Sequence, residues 1–167
     1  LVSGSTDDAL NRDCSSGTDD QVTTSGQPGF GSVPSNASCD GSVGSQSHIG
    51  IRFQNITVAQ GTQISSAYID LLTTARVGTD NGPIEFTIYG EDVDNSSVFS
   101  DLTDCTPSST CTGIVSERTR TTSSYSDSID FKGADSGNSG LWYRLDVTEI
   151  VQEIVCRGAS NTQPCVG

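Results

Sequence analysis

The chain contains no methionine, one histidine and one tryptophan, and aromatic residues fill only 6 % of its 167 positions. Basic residues are scarce too: 8 Lys and Arg stand against 21 Asp and Glu, a formal net charge of -13. Such an excess of negative charge repels a phosphate backbone, so nucleic acid is excluded as a partner. It favours cations, calcium above all. No apolar run approaches the roughly 20 residues of a spanning helix, so no membrane insertion is expected. The single histidine, His48, leaves little for acid–base work at neutral pH and opens a strand pattern with no evident partner. The run Asp135-Ser136-Gly137-Asn138-Ser139-Gly140 faintly echoes a serine nucleophile loop, but nothing places a histidine beside it and it reads as a Gly/Ser turn. Carboxylates abound, yet no spacing singles out a glycosidase pair. No catalytic residue is assigned, and an enzyme is not expected. An opening at Leu1, with no methionine and no signal peptide, is what a processed chain is expected to show.

What fills the space is Ser and Thr, roughly a quarter of the chain, together with 18 Gly. Six cysteines lie at Cys14, Cys39, Cys105, Cys111, Cys156 and Cys165. An even count in an acidic chain reads as disulfides formed in an oxidising compartment, hence a secreted or cell-surface protein. Many pairings are open. Joining nearest neighbours gives Cys14–Cys39, Cys105–Cys111 and Cys156–Cys165, each stapling a loop where no core forms. Zinc is the competing use of cysteine, but there is no CxxC and only one histidine. Three sequons point to N-linked glycans: Asn36-Ala37-Ser38, Asn55-Ile56-Thr57 and Asn95-Ser96-Ser97. The clusters at 23–25, 108–110 and 121–124 have the composition of O-glycan carriers.

Residues 1–47 are polar and Gly/Ser-rich with few apolar anchors, and read as an N-terminal segment preceding a core at 48–167, one domain overall. From His48 the pattern changes. Ile49, Ile51 and Phe53 alternate with Gly50 and Arg52, a half-buried strand. Residues 64–72 give a second strand, with Ala67, Ile69 and Leu71 on one face and Tyr68 and Leu72 on the other. Ile84, Phe86 and Ile88 give a third after the turn Asp80-Asn81-Gly82-Pro83. Further strands are expected near 114–115, 129–131 and 142–145. Val147, Ile150, Val151, Ile154 and Val155 recur instead at helical spacing, predicting a short helix over 147–156. Asp146 stands as its N-cap with Glu149 three residues on, and Gly158 as its stop. Short strands separated by turns predict an all-β chain: an antiparallel β-sandwich, jelly-roll or Ig-like, with one helix near the C-terminus and disulfide-stapled loops.

Three stretches carry a resemblance. Ile49-Gly-Ile-Arg-Phe-Gln-Asn-Ile-Thr-Val-Ala-Gln-Gly-Thr-Gln-Ile-Ser-Ser-Ala-Tyr-Ile69 is similar to the "GlRF…ipqGatIssAyl.f" stretch of the DNRLRE-like family. Ile88-Tyr-Gly-Glu-Asp-Val-Asp-Asn-Ser-Ser-Val-Phe99 resembles its "i.ge..dna..f" stretch, and Leu145-Asp-Val-Thr-Glu-Ile-Val-Gln-Glu-Ile-Val155 its "lDvT.ivqeiv" stretch. The resemblance spans about residues 48–157 and implies an extracellular β-sandwich module, a non-catalytic part of secreted or surface proteins, some of which bind polysaccharide. Subunits of environmental glycosylated extracellular fibrils look similar. Family members continue into a final apolar strand, "sGnaLvfii.g", where this sequence reads Cys165-Val166-Gly167. The tail of that strand resembles Leu1-Val2-Ser3-Gly4-Ser5 instead. The expectation is strand exchange: residues Leu1, Val2, Ser3, Gly4 and Ser5 complete a neighbour's sheet, head-to-tail, as a homopolymer.

Two further groups of residues are candidates for binding. Asp7 and Asp8, with Glu91, Asp92 and Asp94, offer the carboxylates calcium requires, and Asp19 and Asp20 form a lesser pair. The pattern is no EF-hand. Trp142 and Tyr143 fall on opposite faces of one strand. One belongs to the core, and the other is free to stack on a sugar ring or a neighbouring subunit, as are Tyr68, Tyr89 and Tyr125. The leading expectation is a secreted filament subunit, and the alternative is a carbohydrate-binding module of a larger surface protein.

Overall fold

The computed structural model describes residues 8–12, 20–23, 47–72, 83–99, 102–105, 115, 118–130, 140–158 and 165. Among them strands predominate, all pairings are antiparallel, and one short helix is present. The chain divides into two compact units, Leu1–Thr57 with Asn95–Arg118, and Val58–Asp94 with Thr119–Gly167. The polar N-terminal segment supplies β1 (Asp8–Arg12) and β2 (Asp20–Thr23) to the first unit, where the sheet order is β3-β1-β2-β6, with β3 at Ser47–Ile51 and β6 at Leu102–Cys105. Ladder hydrogen bonds come from the backbone, so a segment poor in apolar side chains can still pair.

The buried side of β3 is not the one its alternation predicts. Ile49 and Ile51 are only half-buried and Phe53 is exposed, whereas Gly50 is buried, in register with the buried Ala9 of β1. Phe99 is the reason. Its ring lies so close that a Cβ on Gly50 would stand 2.5 Å from Phe99 Cζ and 2.9 Å from Val115 Cγ2. Small residues on both strands make the shelf, and a phenyl ring fills it. The Arg118 guanidinium lies over the ring, 4.3 Å from its centroid, and donates to Ser96 Oγ and to the Ser97 and Val98 carbonyls. Val115 lies in a 3₁₀ turn, not in the strand expected there.

The second unit contains two ribbons, β4 (Tyr68–Leu72) with β8 (Trp142–Asp146) and β5 (Ile84–Glu91) with β7 (Arg120–Ile129), and the helix α1 (Thr148–Cys156). β4 is shorter than the strand predicted over 64–72. β7 is longer than expected and runs through the Ser/Thr cluster at 121–124. Its inward positions are Thr121, Ser123, Tyr125 and Ile129, so polar side chains break the apolar alternation. Thr121, 3 % exposed, is satisfied: its hydroxyl accepts from the Gly90 amide at 2.9 Å and donates to the Ser123 carbonyl at 2.8 Å.

Helix α1 forms where the apolar spacing predicts it, and Gly158, at φ 70°, ends it. The capping differs. Val147 occupies the N-cap position, so Asp146 lies one residue too early for the expected box; its carboxylate accepts instead from the Thr148 amide at 2.9 Å. Each side of the helix has its own partner. Ile150 and Ile154 lie over Gly90, where an added Cβ would meet them at 2.8 and 2.7 Å. Glu153 accepts from the amides of Thr122 and Ser123 at 2.7 and 2.6 Å, where the β5–β7 register shifts. Thr148 and Gln152 accept from the amides of Ala67 and Ile64, and the Val155 carbonyl accepts from Gly61. The stretch before β4 thus finds its hydrogen bonds on the helix rather than on a strand, which is why β4 begins only at Tyr68.

Two outcomes follow for this unit. Gly90→Val pushes a branched side chain into Ile150 and Ile154 and is expected to cost about 1–3 kcal/mol in chemical denaturation. The Ser123 amide chiefly, with the Ser123 hydroxyl and the Thr122 amide, holds the Glu153 carboxyl below the ordinary glutamate range, and desolvation opposes this only in part. Stability from a lowered carboxylate is present above the unfolded-state value and lost as pH falls through the folded one. Glu153→Gln is therefore expected to lower stability near neutrality and to flatten the acid side of the stability–pH curve, measured by urea midpoints across pH.

Candidate functional site

The β4–β8 ribbon presents two unlike faces because both strands alternate. Ile69, Leu71, Tyr143 and Leu145 point inward, and Leu145 is 1 % exposed. The outer face sets Leu72 opposite Trp142, Asp70 opposite Arg144, and Tyr68 opposite Asp146. Trp142 is 68 % exposed, with Tyr68 and Leu72 about half so. Of the two neighbours 142 and 143, Trp142 is thus the outward one.

Between the apolar groups lies a forked ion pair. Arg144 Nε donates to Asp70 Oδ1 at 2.8 Å and Nη2 to Oδ2 at 2.9 Å. The guanidinium also lies 5.1 Å from the Tyr68 ring centroid. The hydrogen bonds from Arg144 hold the Asp70 carboxyl below its usual range and raise Arg144 in turn. Both groups are open to water, so the pair contributes little to stability; what it fixes is geometry. The result is a strip running from Tyr68 through a flat charged pair to Trp142 and Leu72. Aromatic faces take up apolar surface, either the C–H face of a sugar or side chains of another polypeptide. The ion pair keeps free lone pairs for hydroxyl or amide donors. Beside the start of α1 a shallow groove is lined by Tyr68, Tyr125, Asp146 and Glu149. There Tyr125 donates to Asp127 Oδ2 at 2.6 Å, which raises the phenol and lowers the carboxyl.

The other predicted residues scatter. Asp7, Cys14, Asp19, Asn36, Cys39 and Cys111 lie outside the described residues, as do Leu1, Val2, Ser3, Gly4 and Ser5 and positions 135–139. Asp8 is in β1, Asp20 in β2 and Cys105 in β6. His48 is half-buried in β3, in register with Asn11. Glu91 ends β5, opposite Arg120. Asp92 and Asp94 do come together, but around Arg157, whose Nε is 2.6 Å from Asp92 Oδ1 and whose Nη1 is 3.3 Å from Asp94 Oδ1. The positive charge at this corner is a guanidinium, which calcium would have to displace. Among the described residues no three His, Cys, Asp or Glu side chains converge as a metal site. Asn55 and Asn95 are exposed. Cys156 and Cys165, nine positions apart, form a disulfide at the end of α1. Among the described residues no helix is long and apolar enough to cross a membrane.

The Asp70–Arg144 pair was not legible beforehand. It joins residues 74 apart in sequence, and only the strand register brings them together. Comparison with family models, curated proteins and solved structures finds no match.

The chain's one tryptophan makes this face directly observable. The chain is expected to emit at the long wavelengths of a hydrated indole and to be quenched freely by acrylamide. Trp142→Ala is expected to change unfolding stability by no more than about 0.5 kcal/mol, as for an exposed side chain. A blue-shifted, quencher-resistant emission from the monomer would mean that this face is already covered.

Proposed function

We propose that this chain is a non-catalytic, secreted structural subunit that assembles head-to-tail into an extracellular glycosylated filament. In this reading residues 1–5 of one copy add as a strand to the next. The observation that carries it is the β4–β8 ribbon: two strands among the described residues, with Tyr68, Leu72 and Trp142 exposed on one face. A two-stranded ribbon is marginal alone. An added strand supplies backbone hydrogen bonds along an edge and side chains over a face. The balance of burial supports the same reading. Among the described residues five hydrophobic side chains are buried, while nine large ones stay between 41 % and 70 % exposed. The closed form that such ribbons would reach is the antiparallel β-sandwich of the DNRLRE-like resemblance. Because the donor and acceptor surfaces differ, the contact is heterologous, and it propagates as a filament where the rotation between copies does not close a ring. The Cys156–Cys165 disulfide and the exposed Asn55 and Asn95 side chains support an oxidising, glycosylating route.

A second reading, a carbohydrate-binding module, is favoured by one feature: exposed Trp142 beside the forked Asp70–Arg144 pair, a flat apolar surface next to fixed polar groups. One pair of experiments separates the two. The full chain is expected to form filaments in negative stain, and a chain lacking residues 1–5 to remain monomeric in sedimentation. Ordinary filaments from the shortened chain defeat strand donation. Saturable binding to a polysaccharide panel, lost in Trp142→Ala while the shortened chain behaves like the full one, establishes the module instead.

A further inference from the structure

Among the described residues one non-glycine residue has a positive φ: Asn55, at 58°. Asparagine tolerates the left-handed region better than most side chains. Asn55 is also the acceptor of Asn55-Ile56-Thr57, and the whole run from Phe53 to Thr57 is exposed. Two of these residues are apolar and wet: Phe53 is 48 % and Ile56 70 % exposed. Phe53 stands two positions before Asn55, and both side chains are exposed.

We propose that Asn55 carries an N-linked glycan whose first N-acetylglucosamine lies against the Phe53 ring. The inference rests on the secretory reading above. The donor is an oligosaccharyl polyprenyl diphosphate of the host. Asn55 Nδ2 forms a bond to the sugar C1 as the C1–O bond to the diphosphate breaks; the diphosphate leaves with the electron pair, and the Nδ2 proton passes to a base of the host transferase. Once attached, the sugar offers the ring a face of C–H groups, which an aromatic surface accepts. Asn95 provides an internal contrast. It is exposed, but Val93 stands two residues before it and serine rather than threonine two after, and the Ser96 and Ser97 backbone is bound by Arg52 and Arg118.

The test uses the full chain secreted from a eukaryotic host with its disulfides intact. Peptide mapping by mass spectrometry reads each sequon. Melting then compares each chain with its Asn55→Gln counterpart in three backgrounds: Phe53, Phe53→Tyr and Phe53→Ala. The Asn55 peptide is expected to be glycosylated. Loss of the glycan is expected to lower Tm by about 2–4 °C with Phe or Tyr at position 53, the size an aromatic contact produces in a chain of this length, and to leave it unchanged with Ala. An unmodified Asn55 beside a glycosylated Asn36 or Asn95 overturns the inference and leaves the secretory reading standing. No glycan at any sequon of the disulfide-bonded, secreted chain overturns both. An equal Tm loss in the Phe53→Ala background overturns the ring contact.

Discussion

The second unit depends on how α1 satisfies its neighbours. A chain with 32 % hydrophobic residues has little apolar area to bury, and its backbone polar groups still require partners. The helix supplies both. Ile150 and Ile154 press on the bare backbone of Gly90, Glu153 closes the irregular stretch of β7, and Thr148 and Gln152 stand in for a strand beside residues 64–67. Nine helical residues would be marginal in isolation. Their stability comes from these contacts, so the helix and the two irregular segments require one another.

The same economy appears in the first unit with different means. There Gly50 and Ala9 make room for Phe99, and Arg118 covers the ring while binding three acceptors in the 96–98 stretch. In each unit a glycine lets a large side chain approach the sheet, and a charged side chain meets backbone groups that a regular strand would otherwise pair. This is how a Ser/Thr-rich sequence builds order from few apolar contacts.

The candidate face is a consequence of that arrangement. Leu145 and Val147 are buried, and the Val147 amide donates to the Ala67 carbonyl at 2.9 Å, which fixes the end of the β4–β8 ribbon beside the helix. With the inner face committed, alternation forces Tyr68, Leu72 and Trp142 outward. Apolar surface presented on a strand pair is suited to recruiting another strand or a sugar, and a net charge of -13 opposes non-specific association.

Features local in the chain could be read directly. The 3.6-residue spacing of Val147, Ile150, Val151, Ile154 and Val155 marks the helix, the alternation of Ile84, Phe86 and Ile88 marks β5, and cysteine proximity marks the Cys156–Cys165 bond. Where polar residues take inward positions, as Thr121 and Ser123 do in β7, that signal vanishes because hydrogen bonds replace apolar burial. β1 and β2 were hidden in the polar N-terminal segment for a related reason: pairing uses the backbone, which every residue carries. The choice of Gly50's side as the buried one, and the meeting of Asp70 with Arg144, belong to the folded state alone. Each depends on register and packing between segments far apart in sequence, and no spacing along one segment encodes its partner's.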